Sequence, residues 1–359
     1  MTKEQSDLLL ELRNAFLDAC NRIVPFAMEH RCWNRVALHN FSYSEIRTSS
    51  KLGSQMVCNA IFAVCKAYKN KCILKTETMP TVCFHKNRSV HFDKRTYSIK
   101  GNSLSLYTLQ GRVSVDMHMG PFQQAHFVQG SPKEAELTFR KGQWYFNLVL
   151  DLPDSPACQK GGTMGVDIGE NVLAALSTGT LLGGDQVRHE RQKFLSKRRC
   201  LQSNGSQSAK QLLKKISGKE ARRIKHMNHI VSKQVIQEAI KKEVGTIVME
   251  DLTNIRKRIR AGKKVRSRLH RWSFHQLQTL IQYKAESHGL KVLYVNPAYT
   301  SQTCSLCNRL GERDRHLFKC FCGNKQHSDL NASRNLCKFA QSIGRATCTV
   351  NCTQVAAIG

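Results

Sequence analysis

The stretch GVDIGENVLAALSTG, residues 165–179, sets one acid, Asp167, inside an otherwise apolar run. The two apolar halves flank Gly169–Glu170 and read as a hairpin of short strands. A carboxylate inside a core strand costs free energy unless it is paired or holds a metal. Further along, TIVMED (246–251) reads as a buried strand from its β-branched content and ends on Glu250. A third acid, Asp329, opens the helical segment SDLNASRN. Each acid has an ordinary reading by itself: a strand-end carboxylate is solvated, and Asp329 suits a helix N-cap.

Taken in order, the elements run hairpin, helix, strand, helix, strand, and then an acid on a last helix. That succession fits an α/β fold of the ribonuclease-H-like kind, in which the three acids converge at one edge of a sheet. Carboxylates so gathered can hold two Mg²⁺ (or Mn²⁺) ions for phosphodiester hydrolysis. Asp251 follows Glu250 directly and in a strand faces the other way, so it is left out of the site.

Between the second and third acids stands CSLCNRLGERDRHLFKCFC, residues 304–322. Two cysteine pairs in a short polar segment predict a structural Zn²⁺ site on Cys304, Cys307, Cys320 and Cys322. The second pair is C-x-C, one residue tighter than usual, which leaves His316 or His327 open as a substitute ligand. The other cysteines stand singly in apolar contexts, as Cys58 and Cys65 do, and read as core fillers of a reduced, cytoplasmic protein.

The 359 residues carry 56 Lys+Arg against 26 Asp+Glu, a net charge of +30, which favours a polyanionic partner. Residues 186–272 hold 25 Lys+Arg and 6 Asp+Glu, so this quarter of the chain carries most of the excess. Lys197, Arg198, Arg199, Arg222 and the run Arg256–Lys257–Arg258 are candidate phosphate contacts there. No apolar run is long enough for a membrane span, and the first residues lack a signal peptide's pattern.

Three regions follow from patterning. Residues 1–70 read as helical, with 30–50 as a connecting loop. Residues 71–155 show short alternating runs punctuated by Gly101, Gly111, Gly120, Gly130 and Gly142, which suggests a small β-barrel or sandwich. LPDSPACQKGG (152–162) reads as a linker. The third region spans 160–340, with basic helices over 190–243 and a helix stop at Gly245. The expected segments are 160–300, a ribbon over 301–326, and 327–340; the tail 341–359 is expected to be disordered.

The motifs GVDIGENVLAALSTG, IVMEDL, NPAYTSQTCSLC and CGNKQHSDLNASRN resemble the TnpB family, insertion-sequence nucleases related to type V CRISPR effectors. The resemblance implies a helical recognition lobe, a wedge β-barrel and a RuvC nuclease domain with an inserted zinc ribbon. It implies Asp167, Glu250 and Asp329 as the catalytic acids and the four cysteines as ribbon ligands. It places the family's pattern before the second acid on His229, Ser232 and Val235. It further implies a guide RNA and double-stranded target DNA as partners, and cleavage beside a short flanking motif. Gln55 and Asn59, one helical turn apart, are candidate readers of that flank, since amides read adenine edges. The chain departs from the family in its C-x-C pair and in opening with helix, without a first wedge strand. A compact CRISPR effector, a non-cutting RNA-guided repressor and a guide-free transposase or resolvase remain rivals. The oligomeric state, monomer or dimer, stays open, and association with a prokaryotic nucleoid is expected.

Overall fold

The computed structural model describes residues 1–69, 71, 79–156, 161–252, 262, 273–295 and 301–347, with side chains up to 339 in the last helix. The chain divides into two compact units, residues 1–153 and 154–359, with the boundary inside the sequence-read linker.

The first unit opens with helix α1 (Lys3–Glu29). Its N-terminus is closed by a capping box in which the Thr2 hydroxyl accepts from Gln5 N and the Gln5 side chain accepts from Thr2 N. Helix α2 (Arg35–Ser49) occupies the segment expected to be a loop. Its cap is Asn34, whose side chain accepts from Val36 N and Ala37 N. It buries only Leu38, Ser42 and Ile46, and a stripe this thin, with a serine in its middle, gives little periodic signal. Helix α3 (Ser54–Lys69) follows with a full apolar face.

The strands of this unit pair as two three-stranded sheets. One joins β1 (Val90–Phe92) to β5 (Ser131–Arg140) and β6 (Gln143–Asp151). The other is a meander of β2 (Tyr97–Lys100), β3 (Ser103–Thr108) and β4 (Gly111–Asp116). Among the described residues no ladder joins the two, so a closed barrel is not formed by hydrogen bonding. Gly120 and Gly130 do not punctuate strands; they bracket helix α4 (Pro121–Gln129), with Pro121 in its favoured first position. Helices and strands share one core, in which Phe16, Ile61 and Tyr68 lie in the same cluster as Phe92, Leu106 and Leu137. Helices and strands of residues 1–153 thus lie in one compact unit.

The second unit is built on a five-stranded sheet in the order β11-β10-β7-β8-β9. Its strands are β7 (Gly162–Asp167), β8 (Val172–Leu176), β9 (Leu181–Gly183), β10 (Val244–Glu250) and β11 (Lys291–Val295). The sequence-read hairpin is β7–β8, antiparallel, while β10 lies parallel to both β7 and β11. Helices α5 (Asp185–Asn204) and α6 (Gln207–Lys241) form the basic hairpin, reversed at Gly205 with φ 65°. The stop after α6 falls on Lys242 and Glu243, the latter at φ 51°; Gly245 lies inside β10. Helix α7 is Phe274–Glu286.

The ribbon strands β12 (Glu312–Asp314), β13 (Leu317–Lys319) and β14 (Lys325–His327) lead directly into α8 (Ser328–Thr347). This helix extends seven residues into the segment expected to be disordered. Alternation sorts the sheet's faces. Met164, Val166, Ile247 and Met249 join Val231, Val235 and Ile281 of α6 and α7 in one core. Val248 joins Leu336 of α8 in another. Among the described residues no helix is long and apolar enough to cross a membrane.

Candidate active site

The period of two that builds the sheet also aims its acids. Asp167 lies two residues beyond Gly165, and Glu250 two beyond Val248, so both carboxylates leave the sheet on the α8 face. The register that pairs Val248 with Gly165 sets the two strand ends side by side. Asp329 enters from the first turn of α8, where a carboxylate is favoured by the helix dipole. The three acids line one cleft of ≈ 260 Å³ together with Gly169, Ser301 and Arg313.

The electrostatics are those of crowded acids. Burial, and then the charges of Glu250 and Asp329, hold the Asp167 carboxyl well above its usual range, opposed by Arg313. Asp329 is tied down on several sides. Its Oδ1 accepts from Arg313 Nη2 at 3.1 Å and from Ser328 Oγ at 3.2 Å, and its backbone N–H donates to His327 Nδ1 at 3.2 Å. Gln278 of α7 donates to the Glu250 carbonyl at 2.7 Å, which secures the end of β10.

Arg313 had no sequence signal. It is one arginine among the polar residues between Cys307 and Cys320, sixteen residues before Asp329, and only the folding of the ribbon brings it to that acid. The polar seam between ribbon and α8 was equally silent. Asn331, fully buried, accepts from Ser305 N at 2.8 Å and Gln326 Nε2 at 2.9 Å and donates to the Thr303 carbonyl at 2.7 Å.

The four ribbon cysteines converge. Their sulfurs all lie within 4.8 Å of one another, with Cys304 and Cys322 at 3.7 Å and Cys307 and Cys320 at 3.4 Å. A tetrahedron of thiolates about 2.3 Å from Zn²⁺ has edges of about 3.8 Å, so the spacing suits that ion. The short C-x-C pair is accommodated by Gly323 at φ 86°, whose N–H bonds back to the Cys320 carbonyl at 3.0 Å. Neither histidine joins the cluster: His316 stacks on His327 at 5.5 Å, and His327 is engaged by Asp329. Burial raises the Cys304 thiol, but N–H donors from Cys307, Asn324 and Leu306 prevail and bring it down to about 6. Such donors favour a thiolate, the form that binds metal.

The basic helices α5 and α6 enclose a groove of ≈ 1040 Å³. Its floor is apolar, with Phe194, Leu201 and Ile216, and its rim carries Lys197, Lys215, Lys219 and Arg222. Arg199 is exposed on α5. Arg198 is instead paired with Glu220 of α6, so it fastens the hairpin. Arg256, Lys257 and Arg258 lie outside the described residues. The His229–Ser232 pattern serves packing: Lys284 of α7 donates to the His229 carbonyl at 2.8 Å and to Ser232 Oγ at 2.7 Å.

In the first unit, Gln55 and Asn59 are not free to read a base as placed. Asn59 is 1% exposed, with Thr96 Oγ1 at 3.4 Å and Asp93 Oδ1 at 3.5 Å from its amide. Burial removes it as a direct base contact. Gln55 donates to Asp93 Oδ2 at 2.7 Å and accepts from Arg95 at 3.1 Å, at the edge of a cleft it shares with Arg35 and Lys133.

Parts of the second unit match known protein families. Residues 147–256 match the family described as "Probable transposase", and residues 274–336 the "Cas12f1-like, TNB domain" family. A TnpB-like protein of Methanocaldococcus jannaschii is 40% identical over 165 residues, covering 44% of this chain and 59% of the relative. The CRISPR-associated endodeoxyribonuclease Cas12f1 of Sulfoacidibacillus thermotolerans is 34% identical over 221 residues, covering 55% of this chain and 50% of the relative. The chain thus spans roughly half the length of these curated relatives. In fold, it matches the protein in a Cas12f1–sgRNA–target DNA complex with a TM-score of 0.65 at 16% identity, covering 94% of this chain and 83% of the other. By sequence the chain is similar, across most of its second unit, to TnpB-like and Cas12f1 proteins, and along nearly its whole length its fold resembles that of the protein in the Cas12f1 complex.

Proposed function

We propose that this chain is an RNA-guided DNA endonuclease whose second unit is a RuvC-like nuclease with an inserted zinc ribbon. The observation that carries the reading is the meeting of Asp167, Glu250 and Asp329, distant in sequence, in one cleft. Burial, and then the charges of Glu250 and Asp329, raise the Asp167 carboxyl, and a divalent cation bound by the three acids offsets both. The residues therefore suit Mg²⁺ or Mn²⁺, which would supply an activated water and neutralise charge on the leaving oxygen.

The chain's own part is placement. Asp167 and Glu250 are set by strand register, and Asp329 by the helix start that the ribbon delivers. Arg313 offers a fork of donors at the same cleft, suited to a phosphate oxygen. The ribbon cysteines would hold Zn²⁺ and keep the loop bearing Arg313 folded. A guide RNA takes over sequence choice, so the protein needs an electropositive surface more than base-reading side chains. The rim of the α5–α6 groove provides one, with Lys197 and Arg222 among its cations.

Replacing Asp167 by Ala should abolish cleavage of a target plasmid while guide RNA binding persists; unchanged cutting would overturn the assignment. A compact CRISPR effector would use the same polypeptide chemistry, and sequencing RNA that co-purifies with the protein separates that origin from a transposon end. A non-cutting repressor is disfavoured because all three acids are present.

A further inference from the structure

Arg313 stands where two hollows meet. One is the acid cleft; the other, of ≈ 400 Å³, is lined by Gly169, Asn171, Arg315 and His316 as well as by Arg313 and Asp329. Its Nη2 donates to Asp329 Oδ1 at 3.1 Å, while its Nε donates to the Arg315 carbonyl at 3.2 Å. The root of the guanidinium is thus fixed to the ribbon turn, and the tip is on the acid.

That turn is itself tied to the helix bearing the acid. Ser328 N donates to the His316 carbonyl at 2.8 Å and Ser328 Oγ to the Arg315 carbonyl at 3.3 Å. The two partners differ in freedom: the Asp329 side chain is 12% exposed, that of Arg313 41%. Asp329 Oδ1 accepts from Arg313, whereas the single hydroxyl proton of Ser328 serves either that oxygen or the Arg315 carbonyl. A cation arriving at this carboxylate competes with Arg313, the more exposed of the two partners.

We propose that Arg313 is an internal counter-ion that competes with a divalent cation for Asp329, and that in the presence of a strand it serves a nucleic-acid phosphate in the adjoining hollow beside Arg315 and His316. The inference rests on the nuclease reading and adds a regulation to it. While no strand is present, Arg313 neutralises Asp329 and holds metal affinity down. A phosphate in the second hollow gives the guanidinium another partner and frees the acid. Linkage then requires that metal tighten strand binding by the same factor as the strand tightens metal binding. The device keeps the site under-loaded until a strand is in place.

The test measures Mn²⁺ affinity of the full-length, zinc-loaded protein by paramagnetic resonance of free Mn²⁺. Wild type, R313Q, R313K and D167N are compared, with and without a short single-stranded oligonucleotide made non-cleavable by its backbone chemistry. R313Q should bind Mn²⁺ about fivefold or more tightly than wild type when no strand is present. The oligonucleotide should tighten Mn²⁺ binding in wild type and leave R313Q unchanged, while R313K stays near wild type. Equal or weaker binding in R313Q overturns the proposal, as does a wild-type affinity indifferent to the strand. The second result decides even where R313Q misfolds, which its zinc content and melting curve reveal. If wild type binds no more Mn²⁺ than D167N, the nuclease reading itself fails, a different result from binding that ignores Arg313.

Discussion

Gly165 of β7 and Ser333 of α8 approach so closely that a Cβ on the glycine would lie 1.9 Å from the serine carbonyl oxygen. The contact is backbone against backbone, so no side chain can swing away to make room. It sets how deeply α8 seats on the sheet, and hence where Asp329 meets Asp167 two residues along β7.

Gly165→Ala should therefore cost about 3 kcal/mol, at the upper end for overpacked cores. Urea denaturation checks this, and cleavage should fall more than stability does, because the lifted helix carries an acid. A variant within experimental error of wild type would mean that α8 tolerates displacement.

Cys307→Ser should lose the ribbon's zinc, read by metal analysis of the purified protein. Because Ser305 N is held by Asn331 of α8, the damage reaches the helix start, and cleavage should drop at least tenfold while guide binding remains. Full zinc content in the variant would show that three sulfurs and another ligand suffice.

Asp167→Asn should stabilise the Mg²⁺-free, zinc-loaded protein, and by more as pH rises. The folded chain raises this carboxyl's pKa, so its contribution is intact below the unfolded value and lost as pH climbs through the folded one. Asn does not titrate and escapes that loss. Melting temperatures should coincide near pH 4 and diverge above it, roughly from the ordinary carboxylate range upward. Saturating Mg²⁺ should reverse the order. A gap independent of pH would remove the crowding argument.

Lys197→Ala with Lys219→Ala and Arg222→Ala should weaken guide RNA binding and flatten its salt dependence by about two to three in log–log slope. Arg198→Ala should act differently. Its partner is Glu220 across the hairpin, so melting temperature should fall while the salt slope holds. An unchanged slope in the triple variant would mark the groove rim as a solvated face.

The acids stand out in the sequence because each is an anomaly beside an apolar pattern: Asp167 and Glu250 end apolar strands, and Asp329 heads a helix. The cysteines were legible by spacing. Arg313 and Asn331 were not, since a lone arginine or asparagine in a polar ribbon breaks no local rule and gains meaning only when β12 folds over α8. Helix α2 was hidden by its thin apolar stripe. Gln55 and Asn59 show the opposite error. Their spacing marked a helix face correctly, but it was the face turned towards Asp93 and Thr96, and the amide of Asn59 is consumed there.

The place of the ribbon in the chain, between the second acid and the third, has a consequence for biosynthesis. A ribosome releases Asp167 first, Glu250 next, then the four cysteines, and Asp329 only after them. A chain cut short anywhere before residue 329 lacks the third carboxylate, and a complete one still waits for its cysteines to gather before that carboxylate is presented. Under the proposed nuclease reading, the third acid thus arrives last in translation, after the basic helices α5 and α6 have emerged.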